Sequence, residues 1–261
     1  MSSYARRIAQ DRTIRLVATA RLRDPVLLKL VAQADLAALE EIEGATSGRL
    51  RAQAAGAERL DRRELIYGIA HARFINAAFA YFMPRSLNRF NGPGRGAWYA
   101  ALAVKTCVAE VAFHMERELT NIADFNATVD YAELYASFIG DFVDLRDAKP
   151  RPEFLGTDPD QSYPAGNAFA DAARGAGHYG IVYPSARHAG GACLVALVPH
   201  AVQAVTQGGV VRLAWTGKPG PRVSQRGPAT HVRLPNVRPE AIEVDSYGAN
   251  AAEAALKKRP P

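Results

Sequence analysis

Arg89, Tyr99 and Glu110 are the side chains of this 261-residue sequence whose types and order could act together on one ligand. Arg89 leads into Phe90-Asn91-Gly92-Pro93-Gly94-Arg95-Gly96, Tyr99 sits in the apolar run Ala97-Trp98-Tyr99-Ala100-Ala101, and Glu110 follows on the next predicted helix. An arginine fork can hold a pyrophosphate through paired hydrogen bonds. Glycines let the backbone approach a ligand closely and take positive φ. A carboxylate beside such a pocket can stabilise an oxocarbenium-like centre or hold a ribose hydroxyl. The combination points to a dinucleotide handled as a substrate.

The elements that must position these groups are a short strand and a helix. Strand alternation puts Trp98 and Ala100 on one face and Ala97, Tyr99 and Ala101 on the other. One large aromatic per face leaves room for one in the core and one lining a cleft. The helix predicted over 104–119 carries Val104, Cys107, Val108, Val111, Ala112 and Met115 as one apolar stripe. Glu110 falls at a border of that stripe near Ala103 and Thr106, and His114 is its neighbour one turn on. That border suits a cleft wall, and it is equally where an ordinary solvated glutamate sits. Arg89 and the Asn91–Gly94 turn are likewise open to the plain reading of surface charge and loop.

Elsewhere the signals divide the chain in three. Residues 1–60 read as an N-terminal helical extension, with no strand from Tyr4 onward and a helix starting at Asp24-Pro25, Asp as cap and Pro at the first position. Residues 61–225 read as the α/β (α+β) catalytic domain. Strand-like segments are predicted at 64–69, 74–82, 97–101, 180–183, 192–198 and 210–215, with helices at 104–119 and 168–175. Residues 226–261 form a tail, basic at its end, with a short helix over 251–258 that Asn250 would cap.

Composition narrows the function classes. The net charge of +6 is spread along the chain, without a basic stripe interleaved with aromatics, so direct nucleic-acid binding is not expected. A cation-rich pocket for a phosphate-bearing ligand, or an acidic protein partner, gives the same balance. No apolar run approaches the length of a membrane span. The N-terminus carries no apolar secretory core. Cys107 and Cys193 sit in apolar segments and read as buried thiols of a cytoplasmic protein, and the scattered histidines give no metal site.

Three spaced elements resemble the RES domain, named for an arginine, a glutamate and a serine recurring in that order. They are Leu87-Asn88-Arg89-Phe90-Asn91-Gly92 with Ala97-Trp98-Tyr99-Ala100-Ala101, then Thr106-Cys107-Val108-Ala109-Glu110-Val111, then Gly180-Ile181-Val182-Tyr183-Pro184-Ser185-Ala186-Arg187 ahead of Gly190-Gly191-Ala192-Cys193-Leu194. The resemblance spans about residues 61–215. The chain departs from the family pattern at Cys107, where alanine is frequent, and at Leu87-Asn88, where many members have Gly-Gly.

The resemblance implies a compact fold similar to ADP-ribosyltransferases and a toxin of a toxin–antitoxin pair that degrades NAD by phosphorolysis or hydrolysis of the nicotinamide–ribose bond. NAD is then substrate, with phosphate as a candidate co-substrate, and no further cofactor is required. The partner it implies is an Xre-type helical DNA-binding antitoxin, and homo-oligomer and hetero-oligomer stay open. In this reading Glu110 stabilises charge at the ribose, Arg89 clamps phosphate, Tyr99 stacks on nicotinamide or orients the ribose, and Ser185 hydrogen-bonds near the scissile bond. No nucleophile elbow surrounds Ser185. Asn91, His71, Arg73 and Arg187 are additional substrate-binding candidates. Two alternatives remain: a mono-ADP-ribosyltransferase acting on a cellular protein through the same site, and a non-catalytic basic binding module.

Overall fold

The computed structural model describes residues 4–22, 60–80 and 87–226. Its strands are β1 (Ala5–Ala18), β2 (Trp98–Ala101), β3 (Asn126–Asp144), β4 (Gly180–Pro184), β5 (Ala192–Ala196), β6 (Gln203–Thr216) and β7 (Arg222–Arg226). The helices are α1 (Ala72–Ala80), α2 (Val104–Asn121) and α3 (Pro159–Gly175). The strands form one mixed sheet in the order β1-β2-β5-β4-β3-β6-β7, and a further β1–β3 pairing closes part of it into a ring. The expected mixed α/β architecture is therefore present.

β3 organises the sheet. Its start pairs antiparallel with β6 from Asn126 onward, its middle and end run antiparallel to β1, and Phe142–Asp144 pair parallel with β4. Both faces are covered. Leu134, Ala136, Phe138 and Phe142 enter one core with Trp98, Ala100 and the α1 residues Ile75 and Phe79. Tyr131 and Val143 enter the other with Ala101, Cys107, Cys193 and Val195. A strand buried on both sides shows little polar alternation, so 126–144 carries no strand expectation from sequence although it is the longest strand described.

Three sequence expectations are corrected here. Residues 5–18 are not helical. They form β1, where Ile14 and Leu16 are buried and Thr13 donates to the Ala136 carbonyl at 3.0 Å. Pairing with β3 overrides the weak helical preference of its Ala, Arg and Leu residues. Of the segment 74–82, expected as strand, residues 74–80 fall instead on α1, which buries Ile75, Ala78 and Phe79, and 81–82 lie outside the described residues. The segment 64–69 is likewise no strand. A single 3-10 turn (Arg62–Glu64) precedes it, and the Asn76 carboxamide takes both backbone groups of Ile66, at 2.9 and 2.8 Å, where a strand partner would bond.

The elements around the site follow the sequence closely. β2, β4, β5 and α2 lie where expected, Tyr99 and Ala101 face the core opposite Trp98 and Ala100, and the α2 stripe packs inward. α3 is longer than the helix expected at 168–175, because Asp158 caps it by accepting the Asp160 N–H at 3.0 Å and Pro159 fits its first turn. The helices expected near Asp24 and over 251–258 lie outside the described residues.

Candidate active site

Glu110 and Ser185 meet. The serine hydroxyl donates to Glu110 Oε1 at 2.5 Å and accepts the backbone N–H of Arg187 and of His188, each at 3.0 Å. The hydroxyl proton is thus committed to the carboxylate, and two amides fix the oxygen. The serine oxygen is thereby held at one position against the Glu110 carboxylate.

The loop carrying Ser185 leaves β4 and returns to β5. Ser185 N–H donates to the Gly191 carbonyl at 2.8 Å, and Gly191 N–H donates to His188 at 2.9 Å, closing a tight turn. The turn is clasped to α2 through Thr106 Oγ1 and His188 Nδ1, 2.8 Å apart, one helical turn before Glu110. Any side chain at Gly191 would strike this clasp, since a Cβ there would lie 2.6 Å from Thr106 Oγ1 and 2.7 Å from His188 Nδ1. Glu110 and Ser185 are therefore registered by two bridges between the same helix and loop.

Other groups converge on Glu110. The Cys193 thiol on β5 points at Oε1 across 3.8 Å, and burial together with the Glu110 charge pushes its pKa well above the ordinary thiol value, which keeps it protonated. Tyr183, buried beside Cys193, Tyr99 and Glu110, is pushed up for the same principal reason, desolvation. Neither residue was singled out by spacing. The alternation of β4 and β5 placed both on the face of α2, and that is the signal that could have found them.

Arg89 is buried, at 7% exposure. Its guanidinium donates to the carbonyls of Phe154 and, at 2.9 Å, Gly156, and it lies 5.4 Å over the Tyr163 ring. α3 reaches the Arg89 backbone because Gly166 has no side chain, a Cβ there falling 2.1 Å from the Arg89 carbonyl oxygen. Tyr99 is half-buried, accepts the Phe90 N–H at 2.9 Å and is raised in pKa by burial, so it stands as a neutral phenol. Arg187 lies 3.3 Å over the Phe113 ring and donates to the Thr157 carbonyl at 2.6 Å, with burial pulling its pKa below the ordinary arginine value. The Arg89 charge acts on Tyr99, Tyr183 and Arg187, and that of Glu110 acts on Tyr183, Cys193 and Arg187, which marks one electrostatic cluster.

Three expected substrate-binding residues lie elsewhere. His71 stacks on Phe74 just before α1, and exposed Arg73 lies over the same ring. α1 packs on the sheet face opposite to α2, so neither is brought to Glu110. Asn91 lines a separate crevice of about 30 Å³ with Arg95, Asn167 and Arg174, its Nδ2 donating to the Arg95 carbonyl at 3.1 Å. Among the described residues no His, Cys, Asp and Glu group could hold a metal ion. No helix described is long and apolar enough to cross a membrane.

Strands β2 to β6, the helix that carries Glu110 and the loop that carries Ser185 all fall within residues 65–216, which the RES domain family model matches. The chain belongs to the RES domain family. No curated protein matches it.

Proposed function

We propose that this protein cleaves the nicotinamide–ribose bond of NAD and acts as the toxin of a toxin–antitoxin pair. The observation that supports this best is the 2.5 Å contact of Ser185 with Glu110, beside two arginines and a neutral tyrosine. The leaving nicotinamide departs neutral, taking the electron pair of the C1′–N bond, so little acid catalysis is needed. What the reaction needs is negative charge against the cation growing at C1′. The Glu110 carboxylate supplies it, and Ser185 holds that carboxylate in one rotamer. Water or phosphate then forms the new C1′–O bond and gives up its proton. The Cys193 thiol and Tyr183 phenol line the back of the carboxylate without adding charge.

The +6 balance fits a site for a phosphate-bearing substrate and an inhibitory partner with acidic groups, in line with an Xre-type antitoxin. The test is incubation of the pure protein with NAD, with and without phosphate, resolving products. Free ADP-ribose identifies hydrolysis, ADP-ribose 1″-phosphate identifies phosphorolysis, and a modified protein identifies transfer. NAD left intact under all these conditions overturns the reading.

A further inference from the structure

One short stretch of backbone occupies both arginines of the site. Arg89 Nη2 donates to the Gly156 carbonyl at 2.9 Å, and Arg187 Nη2 donates to the next carbonyl, that of Thr157, at 2.6 Å. Burial holds the first guanidinium and the Phe113 ring holds the second, so neither can swing far. Two consecutive neutral oxygens therefore stand where two guanidiniums point. Oxygens of a diphosphate would satisfy the same donors, with charge-assisted bonds that are stronger. We propose that residues 156–157 form a strap which fills a diphosphate subsite between Arg89 and Arg187 and is displaced when a diphosphate-bearing ligand enters. This rests on reading the site as one for a dinucleotide.

The strap is anchored at both ends. Before it, Leu155 is buried and the Phe154 ring packs at 6.1 Å from Phe90 and 4.7 Å from Phe169. After it, Asp158 is fixed as the cap of α3. Between these anchors Gly156 is half-buried and Thr157 is exposed. Displacement therefore needs only a local change, and its cost lowers the apparent affinity by the fraction of molecules already open. Gly156 has φ −63°, which any residue can adopt, but a Cβ there would lie 3.0 Å from Ser162 Oγ and 3.1 Å from the Glu153 carbonyl. Gly156→Val would thus unseat the strap while leaving both arginines in place.

The experiment titrates ADP into the full chain by calorimetry and follows amide hydrogen exchange over residues 153–158. Saturating ADP is expected to speed exchange there, adenosine is expected to leave it unchanged, and Gly156→Val is expected to bind ADP roughly 3–10-fold more tightly. Unchanged or slowed exchange at saturating ADP overturns the strap, and that readout needs no variant to fold. Failure of ADP to bind at millimolar concentration, or faster exchange with adenosine as well, overturns it too. Faster exchange with ADP in a protein that leaves NAD intact supports the strap and sinks the NAD-cleavage reading. NAD cleavage with unaltered exchange does the reverse.

Discussion

The phenol oxygen of Tyr99 accepts the backbone N–H of Phe90 at 2.9 Å, which ties β2 to the segment carrying Arg89. From the other side α3 presses on the Arg89 carbonyl through Gly166. The arginine is thus held between a strand and a helix before any ligand arrives, and such fixed geometry is what a reacting centre requires.

Tyr99→Phe should lower stability by about 1–3 kcal/mol, because the Phe90 N–H loses its acceptor in a mostly buried place. Urea denaturation should show a shifted midpoint with an unchanged slope. A midpoint equal to that of the parent would mean the hydrogen bond contributes nothing.

Glu110→Gln keeps the shape and an acceptor for Ser185 but removes the charge. Release of nicotinamide from NAD should fall by about 10²-fold or more, with circular dichroism unchanged. Turnover equal to the parent's would remove Glu110 from the mechanism.

Ser185→Ala strips the Arg187 and His188 amides of their acceptor and frees the Glu110 side chain. Measurable turnover should persist at a reduced level, and thermal stability should drop. Complete loss, together with a covalent ADP-ribosyl adduct on Ser185 in the parent, would instead mark a nucleophile.

A pH effect on stability is expected from Glu64, whose carboxylate receives both Arg95 Nη1 at 2.8 Å and Nη2 at 2.6 Å. The Arg95 hydrogen bonds hold its pKa below the ordinary 4.5. A carboxyl depressed in the folded state stabilises above its unfolded value and loses that contribution as pH falls through the folded one. The melting-temperature gap between the parent and Glu64→Gln should accordingly be full at neutral pH and shrink below about 4.5. A gap independent of pH would show that the pair acts only through packing.

Expression of the chain alone should arrest growth as cellular NAD falls, and co-expression of the neighbouring gene product should restore both by mass action. Vigorous growth with abundant soluble chain and steady NAD would argue against a toxin.

The site was legible in sequence where local pattern decides position. Glu110 falls on the predicted helix, Tyr99 on the predicted strand and Ser185 just past one, since each is set by its own element's periodicity. What the sequence could not show was which elements stack. Spacing gave no reason to separate His71 and Arg73 from Arg89, yet α1 takes the far face of the sheet. Nor did it reveal that the Arg89 donors go to the Phe154 and Gly156 carbonyls, because backbone acceptors carry no residue signature. β1 is likewise decided by a distant segment. Its strand state comes from pairing with β3, not from its own Ala- and Arg-rich composition.

That pairing fixes an order of assembly. Thr13 bonds to Ala136 across a sequence separation of 123 residues, and β1 lies ahead of the family match at 65–216. Such distant closures are slow steps in folding, because a long loop must be brought together before any contact rewards it. During synthesis β1 emerges early and must wait for β3, and the Ser185 turn emerges later still. The ring cannot close until β5 has left the ribosome, and the Glu110–Ser185 contact cannot form until Ser185 has. Translation therefore sets an interval in which β1 is already made and the Glu110–Ser185 site is not yet formed.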